Sequence, residues 1–188
     1  ARERLYSVGH AFIGCEVSIR DDKGRSLAAG DIGEICIRGP VMMQGYWNNT
    51  AASLQALREG WLHTGDMGRM DEDGYVHLAD RKKDMIVSGG ENIYSREVED
   101  ALASHPNVSA VAVVGRPDEK WGESVVAVVV LKSGTSVSAE DLIVHCRSQI
   151  AGYKRPRQIV FAENLPTLAS GKVNKVALRA SVLEGAIE

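Results

Sequence analysis

The chain has 188 residues, of which 44 % are hydrophobic and 25 % are charged, and its formal net charge is −3. This composition is typical of a globular protein with one or two domains. The slightly negative charge gives no reason to expect a nucleic-acid partner. No apolar run approaches the roughly 20 residues that a membrane-spanning helix requires, so we expect no membrane span.

The three cysteines, Cys15, Cys36 and Cys146, are too far apart in sequence for a C-x-x-C pair. An odd number excludes a framework in which every cysteine is bridged, so we expect buried, reduced thiols in a cytoplasmic protein. Residues 1–4 contain neither a starting Met nor the apolar stretch of a signal peptide. We therefore interpret the chain as a piece of a longer protein.

The first 80 residues are predicted to be rich in β-structure, because short apolar–polar alternations are separated by turn signals. Asn49 or Thr50 can cap a short helix that ends at Gly60. The predicted elements are strands over residues 16–20 and 34–38, the helix over 51–58, and a hairpin with strands over 68–70 and 75–78.

Beyond residue 80 the pattern changes to a mixture of helices and strands. Two Val-rich segments are long enough to lie at the centre of a sheet. Ser138 and Asn174 are each placed to cap a helix. The predicted elements are a helix over residues 97–104, strands over 108–114, 124–131 and 158–161, and helices that follow the two caps.

Three motifs occur in a fixed order along the chain: WLHTGD at residues 61–66, DRKKDMIVSGGENIYSREVE at 80–99, and LPTLASGKVNK at 165–175. Together they resemble the C-terminal third of the adenylate-forming superfamily, which contains acyl-CoA synthetases, adenylation domains of peptide synthetases and luciferase. The resemblance implies an α+β fold. Residues 1–80 would form the β-rich end of the large AMP-binding domain, and 81–188 a small, mobile, mixed α/β lid domain.

Two charged residues are candidates for binding a nucleotide. A carboxylate such as Asp66 can accept hydrogen bonds from both hydroxyls of a ribose diol, and Arg81 can donate to ribose or phosphate oxygens across the predicted hairpin. Asp66 alone is also an ordinary turn residue, and Arg81 has Asp80 and Asp84 as alternative ion-pair partners. The resemblance implies that Asp66 and Arg81 contact the adenosine ribose.

The middle motif offers a hinge and a glycine turn. Lys83 lies in a charged segment that suits an exposed joint, although an ordinary charged loop has the same composition. Gly89 and Gly90 permit positive φ and a close approach of another chain or a ligand, although a plain strand-to-helix turn needs them too. The resemblance implies that Lys83 is the pivot of the lid and that the glycines line a tunnel for pantetheine.

Lys172 follows a glycine in a loop and would otherwise be interpreted as a surface lysine. A phosphate-binding loop is excluded, because residue 166 is Pro rather than Gly and Val173 follows the lysine. The resemblance implies that Lys172 is catalytic in the first half-reaction, where its ammonium would offset the negative charge that develops at the α-phosphate.

A further cluster combines an aromatic ring with cations. Tyr153, Arg155 and Arg157 can form a platform for stacking and phosphate binding, or merely a solubilising loop. Trp121 precedes a strand and can equally be a half-buried packing residue. The resemblance to CoA ligases implies that Tyr153 stacks on the adenine of CoA, that Arg155 and Arg157 bind its phosphates, and that Trp121 lies near CoA.

The resemblance as a whole implies an enzyme that activates a carboxylic acid with ATP and Mg²⁺ and then transfers the acyl group to CoA. The middle motif is most similar to bacterial fatty or aryl acyl-CoA ligases. The family's phosphate-binding loop and its Y-G-x-T-E motif do not occur in this chain, so we expect Mg²⁺ to be bound mainly by a missing N-terminal portion and this chain alone to be inactive. A carrier-loading adenylation domain and a non-catalytic binding module are the alternatives.

Overall fold

The computed structural model of the protein describes residues 3–185. The chain divides into two compact units, residues 1–83 and residues 84–188, which we call the N-terminal and C-terminal units. The boundary between these two units follows Lys83. No helix of the described part of the chain is long and apolar enough to cross a membrane.

The N-terminal unit is built on one antiparallel sheet. Its strands are ordered β1-β2-β4-β3, and β5 also pairs with β4. Ile19, Ile35 and Val76 form its small core. The elements are a 3₁₀ turn over Glu3–Tyr6, β1 (Glu16–Arg20), β2 (Gly33–Arg38), α1 (Thr50–Ala56), β3 (Leu57–Arg58), β4 (Trp61–Met70) and β5 (Val76–Arg81).

The predicted helix over residues 51–58 is shorter in the structure. Asn49 caps it by accepting a hydrogen bond from the backbone of Ala52 at 3.0 Å, but the helix ends at Ala56. The next two residues form β3, because Glu59 and Gly60 both have positive φ, at 54° and 76°, and reverse the chain onto β4. Two consecutive positive φ angles are typical of a tight hairpin turn.

The C-terminal unit contains a mixed five-stranded sheet with three α-helices, in agreement with the predicted α+β class. The sheet order is β10-β9-β6-β7, β8 pairs with β9, and only the β10–β9 pair is parallel. The elements are β6 (Ile86–Ser88), β7 (Glu91–Ile93), α2 (Ser95–Ala103), β8 (Val108–Asp118), β9 (Gly122–Leu131), α3 (Ala139–Cys146), β10 (Gln158–Phe161) and α4 (Lys175–Leu183).

Helices cover both faces of this sheet. Alternate residues of a strand point to opposite faces, and β9 follows that rule: Val125, Ala127 and Val129 pack with residues of α2 and α3, whereas Val126 and Val128 pack with α4. The long apolar run of β9 is therefore explained by burial on both sides, as expected for a central strand.

Candidate functional site

The T-G-D motif forms a bulge inside β4. Glu34 pairs with Met67 and Cys36 with His63, so the single residue Ile35 lies opposite the three residues 64–66. Gly65 has a φ of +72° at this point. The sequence predicted a turn here, and the structure corrects this to an irregularity within a ten-residue strand. Bulges of this kind change the direction of side chains and are frequent next to active sites.

Asp66 and Arg81 lie directly opposite each other on β4 and β5, as the predicted hairpin requires. Arg81 Nε lies 2.8 Å from Asp66 Oδ1, and 56 % and 33 % of the two side chains are exposed, respectively. The Arg81 side chain thus pairs with Asp66, and its backbone N–H donates to Asp80 Oδ1 at 2.7 Å. The pair presents a carboxylate and a guanidinium together at the surface of the sheet, a combination that can bind a diol.

Behind the bulge lies a buried carboxylate, Glu34, of which 5 % is exposed. Its Oε1 accepts a hydrogen bond from the backbone N–H of Gly65 at 3.1 Å, and its Oε2 lies 3.1 Å from both His63 Nδ1 and Lys82 Nζ. Burial disfavours the ionised form, but the hydrogen bonds from His63 and Lys82 outweigh it and lower the pKa of Glu34 below its usual range. No role was predicted for Glu34 or His63 from the sequence.

Glu34, Cys36 and His63 bring three potential metal-ligand atoms within 4.8 Å of one another. Sulfur and imidazole ligands do not suit Mg²⁺, which prefers an octahedral oxygen set. Burial, followed by the negative charge of Glu34, raises the pKa of the Cys36 thiol to about 11, and Glu34 is already paired with Lys82. Among the residues that the structure describes, this group therefore offers no fit for the magnesium ion that the resemblance implied.

The glycine turn joins β6 to β7 as a hairpin, rather than joining a strand directly to a helix. Gly89 and Gly90 both have positive φ, at 63° and 84°. Gly89 N–H donates to the carbonyl of Trp121 at 2.8 Å, and a Cβ added to Gly89 would lie 3.0 Å from the Trp121 ring. A Cβ added to Gly90 would meet no atom within 4 Å. Gly90 thus borders open space, next to the Gly89 that packs against the Trp121 ring.

Trp121 contacts a second predicted CoA-binding residue besides Gly89, because the Arg157 guanidinium lies 4.3 Å from the centre of its ring. Tyr153 lies in a 3₁₀ turn over Gly152–Lys154 and is half-exposed. Arg155 Nε donates to the carbonyl of Gly152 at 3.3 Å. The Gly89, Trp121 and Arg157 surface is therefore an aromatic ring that is flanked by a glycine and a cation.

Lys172 lies on a tight hairpin before α4. The Leu168 N–H donates to the Lys172 carbonyl at 2.8 Å, while the side chain is exposed and has no ion pair within residues 3–185. Lys175, the first residue of α4, anchors this segment: its Nζ lies 2.7 Å from Glu99 Oε1 and donates to Ser95 Oγ at 2.6 Å. The hairpin therefore exposes the Lys172 ammonium group, while the bonds of Lys175 hold the hairpin in place.

Lys83 lies in a 3₁₀ turn over Lys82–Asp84, and its side chain is exposed. It is the last residue of the N-terminal unit. A solvated side chain at such a boundary is compatible with a pivot.

Comparisons with known sequence families place the motifs in context. "AMP-binding enzyme" matches residues 1–47, and "AMP-binding enzyme C-terminal domain" matches residues 97–172. The chain belongs to the adenylate-forming, AMP-binding enzyme superfamily. The resemblance stated from the three motifs is confirmed.

Curated relatives of this chain include several acid–CoA ligases. It is 46 % identical to an indoleacetate–CoA ligase of Aromatoleum aromaticum over 95 % of this chain and 35 % of the relative. It is 44 % identical to a feruloyl-CoA synthase of an Amycolatopsis species, over 94 % and 36 %. It is 41 % identical to a medium/long-chain fatty-acid–CoA ligase of Mycobacterium tuberculosis, over 98 % and 34 %. The chain thus spans about a third of the length of the curated relatives that it matches.

Solved structures agree with this assignment. An amide bond synthetase from Marinactinospora thermotolerans is 42 % identical and superposes with a TM-score of 0.89, over 97 % of this chain and 37 % of that one. An o-succinylbenzoate–CoA synthetase from Bacillus subtilis, in complex with its acyl-adenylate intermediate, is 39 % identical with a TM-score of 0.87, over 96 % and 36 %.

Proposed function

We propose that this chain forms the C-terminal portion of an ATP-dependent acid–thiol ligase. A carboxylate oxygen of the acid attacks the α-phosphorus of ATP and pyrophosphate leaves; the CoA thiol then attacks the acyl carbon and AMP leaves. The observation that best supports this proposal is the exposed Asp66–Arg81 pair, with its atoms 2.8 Å apart on a bulge of β4. In this proposal residues 1–83 end the large AMP-binding domain and residues 84–188 form the mobile lid.

Each half-reaction uses a different part of the chain. Asp66 accepts hydrogen bonds from the two ribose hydroxyls and Arg81 donates to the nucleotide, so both hold AMP in place. In the first half-reaction the Lys172 ammonium offsets the charge that develops as pyrophosphate leaves. The lid then rotates about Lys83, and the hairpin that carries Gly90 replaces Lys172 and admits pantetheine. Magnesium would be held mainly by the missing N-terminal portion, so no step of this chain is assigned to it.

CoA is the acceptor that the C-terminal unit supports best. Trp121 and Arg157 form a stacked aromatic–cation surface with centres 4.3 Å apart, which suits an adenine ring and its phosphates. Tyr153 and Arg155 would extend this surface. A carrier protein would need only the pantetheine path beside Gly90, and the likeness to an amide bond synthetase makes an amine a further candidate acceptor.

The acid is sought among the classes that the relatives' names suggest, namely medium- and long-chain fatty acids and aryl acids. The assay uses the full-length protein with ATP and a panel of these acids, and it measures pyrophosphate and AMP release with CoA, with an amine, or with neither. We expect AMP release to depend on CoA and to yield a free thioester. Release that ignores CoA would favour a carrier or an amine, and no pyrophosphate with any acid would contradict the ligase proposal.

Lys172→Ala tests the assignment of the first half-reaction, with the exposed Lys132→Ala as the matched control. Removing one electrostatic contact to the transition state costs about 10²–10³ in rate, so we expect that loss in adenylation for Lys172→Ala alone. Thioester formation from supplied acyl-adenylate should be retained. Equal loss of both half-reactions would show that Lys172 supports the fold rather than the first step.

A further inference from the structure

Both members of the Asp66–Arg81 pair have a neighbour that is bonded to one buried carboxylate. Gly65, which precedes Asp66, donates its N–H to Glu34 Oε1 at 3.1 Å. Lys82, which follows Arg81, reaches Glu34 Oε2 at 3.1 Å. Glu34 thus connects the two chain segments that carry the pair, although it contacts neither Asp66 nor Arg81 itself in these hydrogen bonds.

The strand pairing explains why such a connection is needed. The bulge at residues 64–66 interrupts the ladder between β2 and β4, and a second register shift between Met67 and Gly68 interrupts the ladder between β4 and β5. Asp66 therefore belongs to one irregularity and lies next to another, where backbone hydrogen bonds specify the register only weakly. A side chain that bonds to both segments can fix their relative position where the backbone hydrogen bonds do not.

Glu34 is suited to this role by its burial and its partners. A buried carboxylate is stable only when its oxygens are satisfied, and hydrogen bonds to a charged group are roughly twice as strong as neutral ones. His63 Nδ1 lies 3.1 Å from Oε2 and completes the set of close partners, with Arg58 farther away at 3.9 Å. Lys82 is fixed at its other side by Asp22 at 2.8 Å. The end of β5 is thereby fastened to the sheet just before Lys83.

We infer that Glu34 is a positioning residue for nucleotide binding: it holds the T-G-D bulge and the end of β5 so that Asp66 and Arg81 meet the ribose together. This inference rests on the ribose role that is proposed for the pair. It also implies that the N-terminal side of the Lys83 pivot stays fixed, because Lys82 is bonded to two carboxylates of its own unit.

The test measures binding of AMP and of 2′,3′-dideoxy-AMP to the full-length enzyme and to its Glu34→Gln variant. The wild type should prefer AMP, because only AMP offers hydroxyls to Asp66. Glu34→Gln keeps the side-chain shape but loses the charge that holds Lys82, so AMP affinity should fall about tenfold, the scale of one charge-assisted hydrogen bond. Affinity for the dideoxy ligand should change less than about twofold, because it makes no ribose contact to lose.

Glu16→Gln is the matched control, because Glu16 lies on the same sheet but forms an exposed pair with Arg38 at 2.6 Å. It should leave the preference for AMP unchanged. If the wild type binds both ligands equally, the ribose assignment itself is wrong. If the wild type prefers AMP and Glu34→Gln keeps the full preference, or loses affinity for both ligands equally, the positioning role is overturned while the ribose role stands.

Lys82→Met provides a second variant that does not depend on the folding of Glu34→Gln. It removes the ion pairs of Lys82 with Glu34 and with Asp22, and leaves Glu34 bonded to His63 and Gly65. We expect the preference for AMP over dideoxy-AMP to fall several-fold in this variant. An unchanged preference would show that fixing the end of β5 does not contribute, and would overturn the inference that Glu34 acts on both segments.

Discussion

Two adjacent glycines, Gly89 and Gly90, form the turn of the β6–β7 hairpin. Alanine substitutions at these positions can separate destabilisation by a packing clash from obstruction of the thioester-forming step. Gly89→Ala and Gly90→Ala both place a side chain at positive φ, at 63° and 84°. Only the methyl group at Gly89 would meet the protein, at 3.0 Å from the Trp121 ring. Gly89→Ala should therefore lower the free energy of unfolding more, whereas Gly90→Ala should slow thioester formation more.

The expected magnitudes follow from these contacts. A non-glycine residue in the left-handed region costs about 1–2 kcal/mol, and the reduced freedom of the unfolded chain returns about 0.4–1 kcal/mol, so Gly90→Ala should destabilise by about 1 kcal/mol. Overpacking against a ring adds at least about 1 kcal/mol, so Gly89→Ala should cost about 2 kcal/mol or more. A difference of 1 kcal/mol corresponds to about 2–4 °C in melting temperature for a protein of this size.

Urea unfolding followed by circular dichroism gives the two free energies of unfolding, and Trp121 offers a local fluorescence probe in the Gly89 variant. Thioester formation from acyl-adenylate and CoA is then measured in the full-length enzyme. Gly90→Ala should impair this step more, because its methyl group enters the open space that we assign to pantetheine. If both substitutions lower the free energy of unfolding equally, or if Gly90→Ala lowers it more, the packing argument is refuted.

Three further outcomes follow from contacts elsewhere. Lys175→Met should destabilise the C-terminal unit by about 2 kcal/mol, because it leaves the largely buried Glu99 without its cation, whereas Lys175→Arg should largely restore stability in urea unfolding. Iodoacetamide should label Cys15 of the native protein well before Cys36, because the Cys36 thiol is buried and has a pKa of about 11. Mass spectrometry after timed labelling measures the order, and labelling of Cys36 first would contradict the prediction. The stability that ionised Glu34 contributes is present above about pH 4.5 and is lost as the pH falls through its lowered folded-state pKa, so the difference in urea midpoint between wild type and Glu34→Gln should shrink in acid; a constant difference would contradict it.

Local patterns in the sequence were sufficient for much of the secondary structure. The alternation over Glu16–Arg20 and the cap at Asn174 predicted β1 and the start of α4 as they occur. The helix after Asn49 was predicted too long, because the residues that follow it are recruited by β4 in a pairing that composition does not reveal. Propensity is a weak guide wherever strand pairing competes with it.

The sequence by itself determined the family and the α+β class, because these depend on motifs and on short-range periodicity, and it supplied the candidates for the proposed chemistry. Only the tertiary structure decided which residues meet. Register between strands placed Glu34 beside His63 and Lys82, which lie 29 and 48 residues away, and the pairing of β6 with β9 brought Trp121 to Gly89. Such contacts depend on strand register and on bulges, which involve residues far apart in the sequence. No local sequence pattern predicts them.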